Sequence, residues 1–171
     1  MKKLLLFGAL FFGLSAFGQV PSYLPTNGLI GWWPFNGNAN DESGNGNHGI
    51  VNGATLSTDQ FGNSNSAYNF DGSNDFVTLP DFSYLNDITF SGWIKIHTRN
   101  NWERIFDFGK GGSGDMFLTV QGGRTGGDLE MTLHPNPGAY TIDPGVTLED
   151  SQWHHIVFTY DKGGAGMKLY I

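Results

Sequence analysis

The chain has 171 residues, a formal charge of -7 from 16 acidic and 9 basic side chains, 26 glycines and no cysteine. That balance excludes the basic footprint nucleic acid demands and gives little attraction to an anionic membrane surface, while it suits cation binding and extracellular solubility. Without cysteine there is no disulfide framework, thiol nucleophile, thiolate metal site or lipid-modified cysteine, so stability must come from core burial, helped by any bound ion.

Residues 1–18 read as an export signal. Lys2 and Lys3 form a basic start, LLLFGALFFGLSAFG is apolar, and Ala16 and Gly18 are the small residues a signal peptidase needs. Cleavage is expected before Gln19. The apolar run is shorter than the ~20 residues of a bilayer span, and no basic stop-transfer flank follows, so no membrane insertion is expected after cleavage. Residues 19–27 are a short lead-in, and 28–171 form one domain large enough to bury a real core.

Helical periodicity is nearly absent. Short apolar runs recur about every ten residues between Gly, Asn, Asp and Pro, the pattern of an all-β sandwich or barrel. In chain order the expected strands are 29–33, 49–51, 66–70, 76–79, 88–96, 104–108, 116–120, 129–133, 153–160 and 167–171. In 88–96, Ile88, Phe90, Ile94 and Ile96 share one face, and Thr89, Ser91, Trp93 and Lys95 the other; Gly92 interrupts the apolar face. The run 153–160 is apolar on both faces and reads as a central strand covered on both sides. Trp33, Phe35, Trp93 and Trp153 lie in or beside strands and are expected in the core. The architecture these runs predict is a two-sheet antiparallel jelly roll. Residues 167–171 alternate like the first arm of a hairpin with no second arm, so the chain is expected to be a C-terminally incomplete piece of a larger multidomain protein.

Eleven of the eighteen residues from 36 to 53, NGNANDESGNGNHGIVNG, are Asn or Gly. The ordered set GLIGWWPFNGNANDESGNGNHGIVNGA, FGNSNSAYNFDGSNDFVTLP, ITFSGWIKI, SQWHHIVFTYD and MKLYI closely resembles the LamG-like jelly-roll domain, the bacterial branch of the concanavalin A-like lectin/glucanase superfamily. The resemblance runs from about Gly28 to Ile171. It implies two antiparallel sheets, often calcium-bearing, commonly one module of a large secreted or surface protein. It also implies binding of polysaccharide or surface glycoprotein more often than catalysis. Superfamily relatives that hydrolyse O-glycosidic bonds make glycoside hydrolysis the alternative, and a structural spacer the second alternative.

Five groups of residues carry candidate chemistry. Asp41, Ser43, Asn45 and Gly46 read D-x-S-x-N-G, the first half of a calcium loop, with the Asn47 carbonyl at position seven. Position twelve is Asn52 rather than Glu, so a structural Ca²⁺ there would need a distant carboxylate such as Asp71 or Asp75. The competing reading is an Asx-turn network in which Asp41 and Asn45 cap backbone amides. Asp71 and Asp75 in FDGSND either finish that site, hold a second ion, or form a tight Asp71-Gly72 turn. Adjacent His154 and His155 on a strand point to opposite faces and cannot share one ion. Asp128 and Glu130 project to one strand face about 7 Å apart, near a glycoside-hydrolase separation. The three alternating acids of the related laminarinase-type glucanases are broken here by Thr132. Trp102 stands in the polar stretch HTRNNWER, where with Asn101 and Arg104 it would suit stacking on a sugar; Tyr140 is a similar loop aromatic. The alternative for Trp102 is burial at the start of the next strand.

Overall fold

The computed structural model describes residues 20–81, 87–98, 100–109, 115–121, 129–133, 140–161 and 166–171. The expected leader, residues 1–18, lies outside them. Among the described residues there is no helix, and the strands are β1 (Ile50–Asn52), β2 (Thr55–Ser57), β3 (Ala67–Asn69), β4 (Phe76–Thr78), β5 (Ile88–Lys95), β6 (Arg104–Phe108), β7 (Met116–Thr119), β8 (Glu130–Leu133), β9 (Tyr140–Ile142), β10 (Trp153–Asp161) and β11 (Gly166–Tyr170). All pairings are antiparallel. Two sheets carry the core, one ordered β11-β10-β5 and the other β6-β7-β8-β9; β1 pairs with β4 and β2 with β3 as two-stranded ladders.

Alternation decides how the main sheets meet. Ile88 of β5, Ile156 and Phe158 of β10, Phe106 of β6, Met116 and Leu118 of β7, and Met131 and Leu133 of β8 form one buried cluster with Leu129 and Leu148. Phe106 is its joint. Its ring lies 4.5 Å from Phe90 and 5.9 Å from Phe158 in the opposite sheet, and 5.0 Å from Phe108 in its own strand. These spacings are those of tilted and stacked aromatic pairs, which add to area burial.

A β-bulge interrupts β6. Arg104 pairs with Thr119 while Phe106 pairs with Leu118, so Ile105 is the extra residue. Simple alternation from Phe106 would turn Arg104 toward the core. The bulge reverses that parity: Ile105 and Phe106 both pack on the core, and Arg104 joins Asp107 on the outer face, as bulges commonly re-aim a side chain.

Several expectations are corrected. Residues 29–33 form no strand, because side chains take up their backbone: Asn45 Nδ2 donates to the carbonyls of Leu29 (2.7 Å) and Ile30 (3.1 Å), Asn47 Nδ2 to Ile30 (2.8 Å), and the Trp32 amide to Asp41 Oδ1 (2.9 Å). β2 and β9 are strands that the apolar pattern missed. β10 is central as expected, but only its Ile156/Phe158 face is buried, and His155 on the other face is exposed. Trp93 is not core: it is 47% exposed, because its parity on β5 opposes that of Ile88 and Phe90.

Phe106→Ala should cost about 3–5 kcal/mol, read as a lowered urea midpoint with an unchanged slope. A loss below about 1 kcal/mol would mean that this ring does not join the sheets.

Candidate functional site

The Asn/Gly loop folds around Asp41, which is 5% exposed. Its Oδ1 accepts the amides of Trp32 (2.9 Å) and Ser43 (2.9 Å), and Oδ2 accepts the amide of Asn47 (3.0 Å). The Asp41 amide in turn donates to His48 Nδ1 at 3.1 Å, and Trp33 Nε1 donates to the Asn47 carbonyl at 2.8 Å. Gly31 is needed here because the Trp33 indole fills the space a Cβ would occupy. Burial pushes the Asp41 pKa up. The hydrogen bonds from Trp32, Ser43 and Asn47 together outweigh it and hold the carboxyl below its ordinary 3.8.

These donors do not fit a calcium ion as they stand. Ca²⁺ takes about six to eight oxygens. Three amides occupy the Asp41 carboxylate, the Trp33 indole occupies the Asn47 carbonyl, and the Ser43 hydroxyl accepts the Asn45 amide at 3.2 Å. Glu42 Oε2 is buried without a partner among the described residues, but it is a single oxygen. Asp71 and Asp75 do not complete the set. Asp75 lies against Gly53, five residues beyond His48, about 15 Å of largely extended chain. The pair closes its own turn instead: Asp71 Oδ1 accepts the Ser73 amide (2.8 Å) and Asp75 Oδ2 the Asp71 amide (2.9 Å). Among the described residues no three His, Cys, Asp or Glu side chains converge on a point where a metal would sit.

The 71–75 turn meets a different neighbour. A Cβ on Gly72 (φ 75°) would stand 2.5 Å from Glu103 Oε1, so the turn packs on the loop that carries Trp102. Glu103 also ties that loop, accepting the Asn100 amide at 2.9 Å and Asn100 Nδ2 at 2.6 Å. Trp102 is 50% exposed and has φ 69°, a left-handed backbone that costs a non-glycine residue about 1–2 kcal/mol. Its amide donates to the Gln121 carbonyl at 2.9 Å. The Arg104 guanidinium lies 3.7 Å from the Phe117 ring centre and 5.5 Å from that of Trp102, and its Nε bonds Asp107 Oδ2 at 3.3 Å. Trp102, Arg104 and Asp107, with Asn101 exposed in the adjoining turn, thus form one cluster at the β6 edge of the four-stranded sheet. Asp107 and Phe117 were missed by sequence reasoning; only the bulge and the β6/β7 register bring them in.

Other candidates fall elsewhere. Tyr140 pairs with Leu133 on β9, three strands from Arg104 and about 14 Å across the sheet, so it does not join Trp102. Asp128 lies outside the described residues. Glu130 is 6% exposed, and its Oε1 accepts the Thr132 hydroxyl at 3.0 Å. By register Asp107 on the same face is two strands and two residues away, roughly 12 Å between backbone positions. His154 binds Asp150 (3.0 Å) and His155 binds Ser91 (2.9 Å), on opposite faces of β10.

Two packed antiparallel sheets, with the Trp102 and Arg104 cluster at the β6 edge and β7 and β8 buried on both faces, define an all-β sandwich of the lectin type. The family model of the concanavalin A-like lectin/glucanases superfamily, Laminin_G_3, matches residues 71–171, more than half of the chain, and the chain belongs to that superfamily. The match begins at Asp71, after the asparagine-rich loop that carried much of the resemblance. No curated protein and no solved structure matches the chain.

Asp41→Ala should destabilise the fold by about 2–3 kcal/mol at pH 7, since it strands three amides. Because the folded pKa is lowered, this stabilisation is present above the unfolded value and is lost as pH falls through the folded one. The gap between parent and variant in urea midpoints should therefore close below the ordinary 3.8. It should also be the same in EDTA and in millimolar calcium; a melt that calcium raises in the parent alone would restore the metal reading.

Proposed function

We propose that this domain is an exported carbohydrate-recognition module, serving adhesion within a larger surface or secreted protein, and that it holds a sugar ring against Trp102. The observation carrying this reading is a half-exposed indole kept in a left-handed backbone conformation beside a stacked guanidinium. Strain of this kind persists where the surroundings impose it, and it clusters at ligand sites. The flat ring offers its face to the apolar side of a sugar. Arg104 and Asp107, with side chains 31% and 45% exposed, offer a donor fork and an acceptor beside it for hydroxyl groups. Because their charges cancel, the pair suits a neutral glycan.

Superfamily membership supports carbohydrate binding in general; the particular site rests on the geometry around Trp102. Glycoside hydrolysis gains no support from Glu130, which is buried and bonded to Thr132. Export rests on the first 18 residues, and a mature N-terminus at Gln19 in the culture medium is what this reading requires.

Trp102→Gly separates structure from function. Glycine accepts the positive φ without strain, so the melting temperature should hold or rise. Retardation of the protein in gels containing a neutral soluble polysaccharide should fall about tenfold or more, the factor that ~1.4 kcal/mol of lost stacking gives. A glycine variant retarded as strongly as the parent would overturn the site, and a parent retarded by no polysaccharide would leave the spacer reading.

A further inference from the structure

Four Asn-Gly pairs lie in the first third of the chain: Asn27-Gly28, Asn36-Gly37, Asn45-Gly46 and Asn52-Gly53. Such a pair can react with itself. The glycine amide nitrogen attacks the carbonyl carbon of the Asn side chain. Glycine has no Cβ to obstruct the approach, and groups held one residue apart meet at a very high effective concentration. The reaction needs two freedoms: an Asn side chain that can turn its Cγ toward the chain, and a glycine N–H with no acceptor already in place. The fold distributes these freedoms unequally.

Three pairs lack at least one of them. The Gly37 amide donates to the carbonyls of Phe35 (2.9 Å) and Asn65 (2.8 Å). Asn45 is held by the two bonds from its Nδ2 to the Leu29 and Ile30 carbonyls. Asn52 Nδ2 donates to the Ile50 carbonyl (3.0 Å) and to Thr78 Oγ1 (3.4 Å), and the Asp75 carboxylate lies against Gly53, where it opposes the negative charge that attack builds up. Asn27-Gly28 differs. It forms the centre of a turn closed by the Leu29 amide on the Thr26 carbonyl at 3.2 Å, with Gly28 at φ 80°. That closing bond leaves the Gly28 amide and the Asn27 side chain with no hydrogen-bond partner among the described residues. Both residues are exposed, and nothing stands within 4 Å of the place a Gly28 Cβ would take.

We propose that Asn27 is a site of spontaneous covalent modification in the folded protein, closing on Gly28 to a succinimide that opens to aspartate and isoaspartate. In the first step the bond from Gly28 N to Asn27 Cγ forms, the Cγ–Nδ2 bond breaks, and ammonia departs carrying the amide proton. In the second step water opens the ring. Cleavage at Cγ leaves aspartate; cleavage at the main-chain carbonyl leaves isoaspartate, whose backbone runs through Cβ and Cγ. Either product adds a carboxylate to a chain that is already acidic, and isoaspartate lengthens the turn by a methylene. The same chemistry at Asn45 would set a carboxylate against the two carbonyls that hold residues 29–33 in place. The bonds that fix that loop therefore also protect it.

Timed incubation of the full chain in mildly alkaline buffer tests this, because the attacking amide must lose its proton. Tandem mass spectrometry of chymotryptic peptides should show the NH2-to-OH mass change at Asn27 accumulating at least about tenfold faster than at Asn36, Asn45 or Asn52, since those sites wait on local opening. An isoaspartate-specific methyltransferase should label the Asn27 peptide. In urea the four sites should approach a common rate, because the fold and not the dipeptide makes the selection. Asn27→Gln should remove the leading acidic species seen on ion exchange, since the longer side chain closes its ring far more slowly. Modification led by any of the other three sites in the folded chain, equal rates at all four without urea, or an Asn27→Gln protein that acidifies as fast as the parent would each overturn the inference.

Discussion

Backbone amides in loops that no sheet reaches must find acceptors, and in this domain aspartates supply them. Asp41, Asp59, Asp71, Asp143 and Asp150 each accept the amide two residues on, at Ser43, Phe61, Ser73, Gly145 and Gln152. This is the Asx-turn repeated around the molecule. A sandwich with 26 glycines has long stretches whose chain entropy is high and whose donors have no ladder partner. A carboxylate beside each turn removes both difficulties locally. The acidic composition, which in isolation suits cation binding, is thereby put to structural use. Asp59 shows the same logic: the Asn63 side chain, then the amides of Asn63, Phe61 and Gly62, outweigh desolvation and hold its pKa below the ordinary value.

The same interaction explains where the sequence misleads. The GLIGWWPF run has strand composition, yet its carbonyls and amides are met by Asn45, Asn47 and Asp41 rather than by a neighbouring strand. Side chains of the asparagine-rich loop do there what a ladder does elsewhere. Periodicity detects only which face of a segment is apolar, and cannot register that its backbone has been satisfied from the side.

Where backbone pairs with backbone, alternation reads well. The faces of β5 follow its residues one by one, and the buried face of β10 holds Ile156 and Phe158 as its pattern requires. β2 and β9 escaped because each is three residues long and half polar. Trp93 faces outward despite its hydrophobicity, because parity with Ile88 and Phe90 on β5 fixes the core side. At the candidate site, Trp102 was legible as a lone aromatic among polar residues. Asp107 and Phe117 were not, because their membership depends on a pairing irregularity with no signature in composition.

That irregularity controls the chemistry of the outer face. With regular pairing throughout β6, the side of Arg104 would be that of Phe106, and a guanidinium would point into a cluster of Met, Leu and Phe, where an unpaired charge costs several kcal/mol. Inserting Ile105 moves the charge out and fills the vacated direction with an apolar side chain that packs on the core. Arg104 then finds a ring on β7 and a carboxylate on its own strand, so its orientation is set before any ligand arrives. The opposite sheet has no such device. β5 and β10 pair without a break over eight residues, and whatever that face presents follows from strict alternation. One side of the sandwich is therefore shaped by a departure from β-sheet regularity and the other by adherence to it.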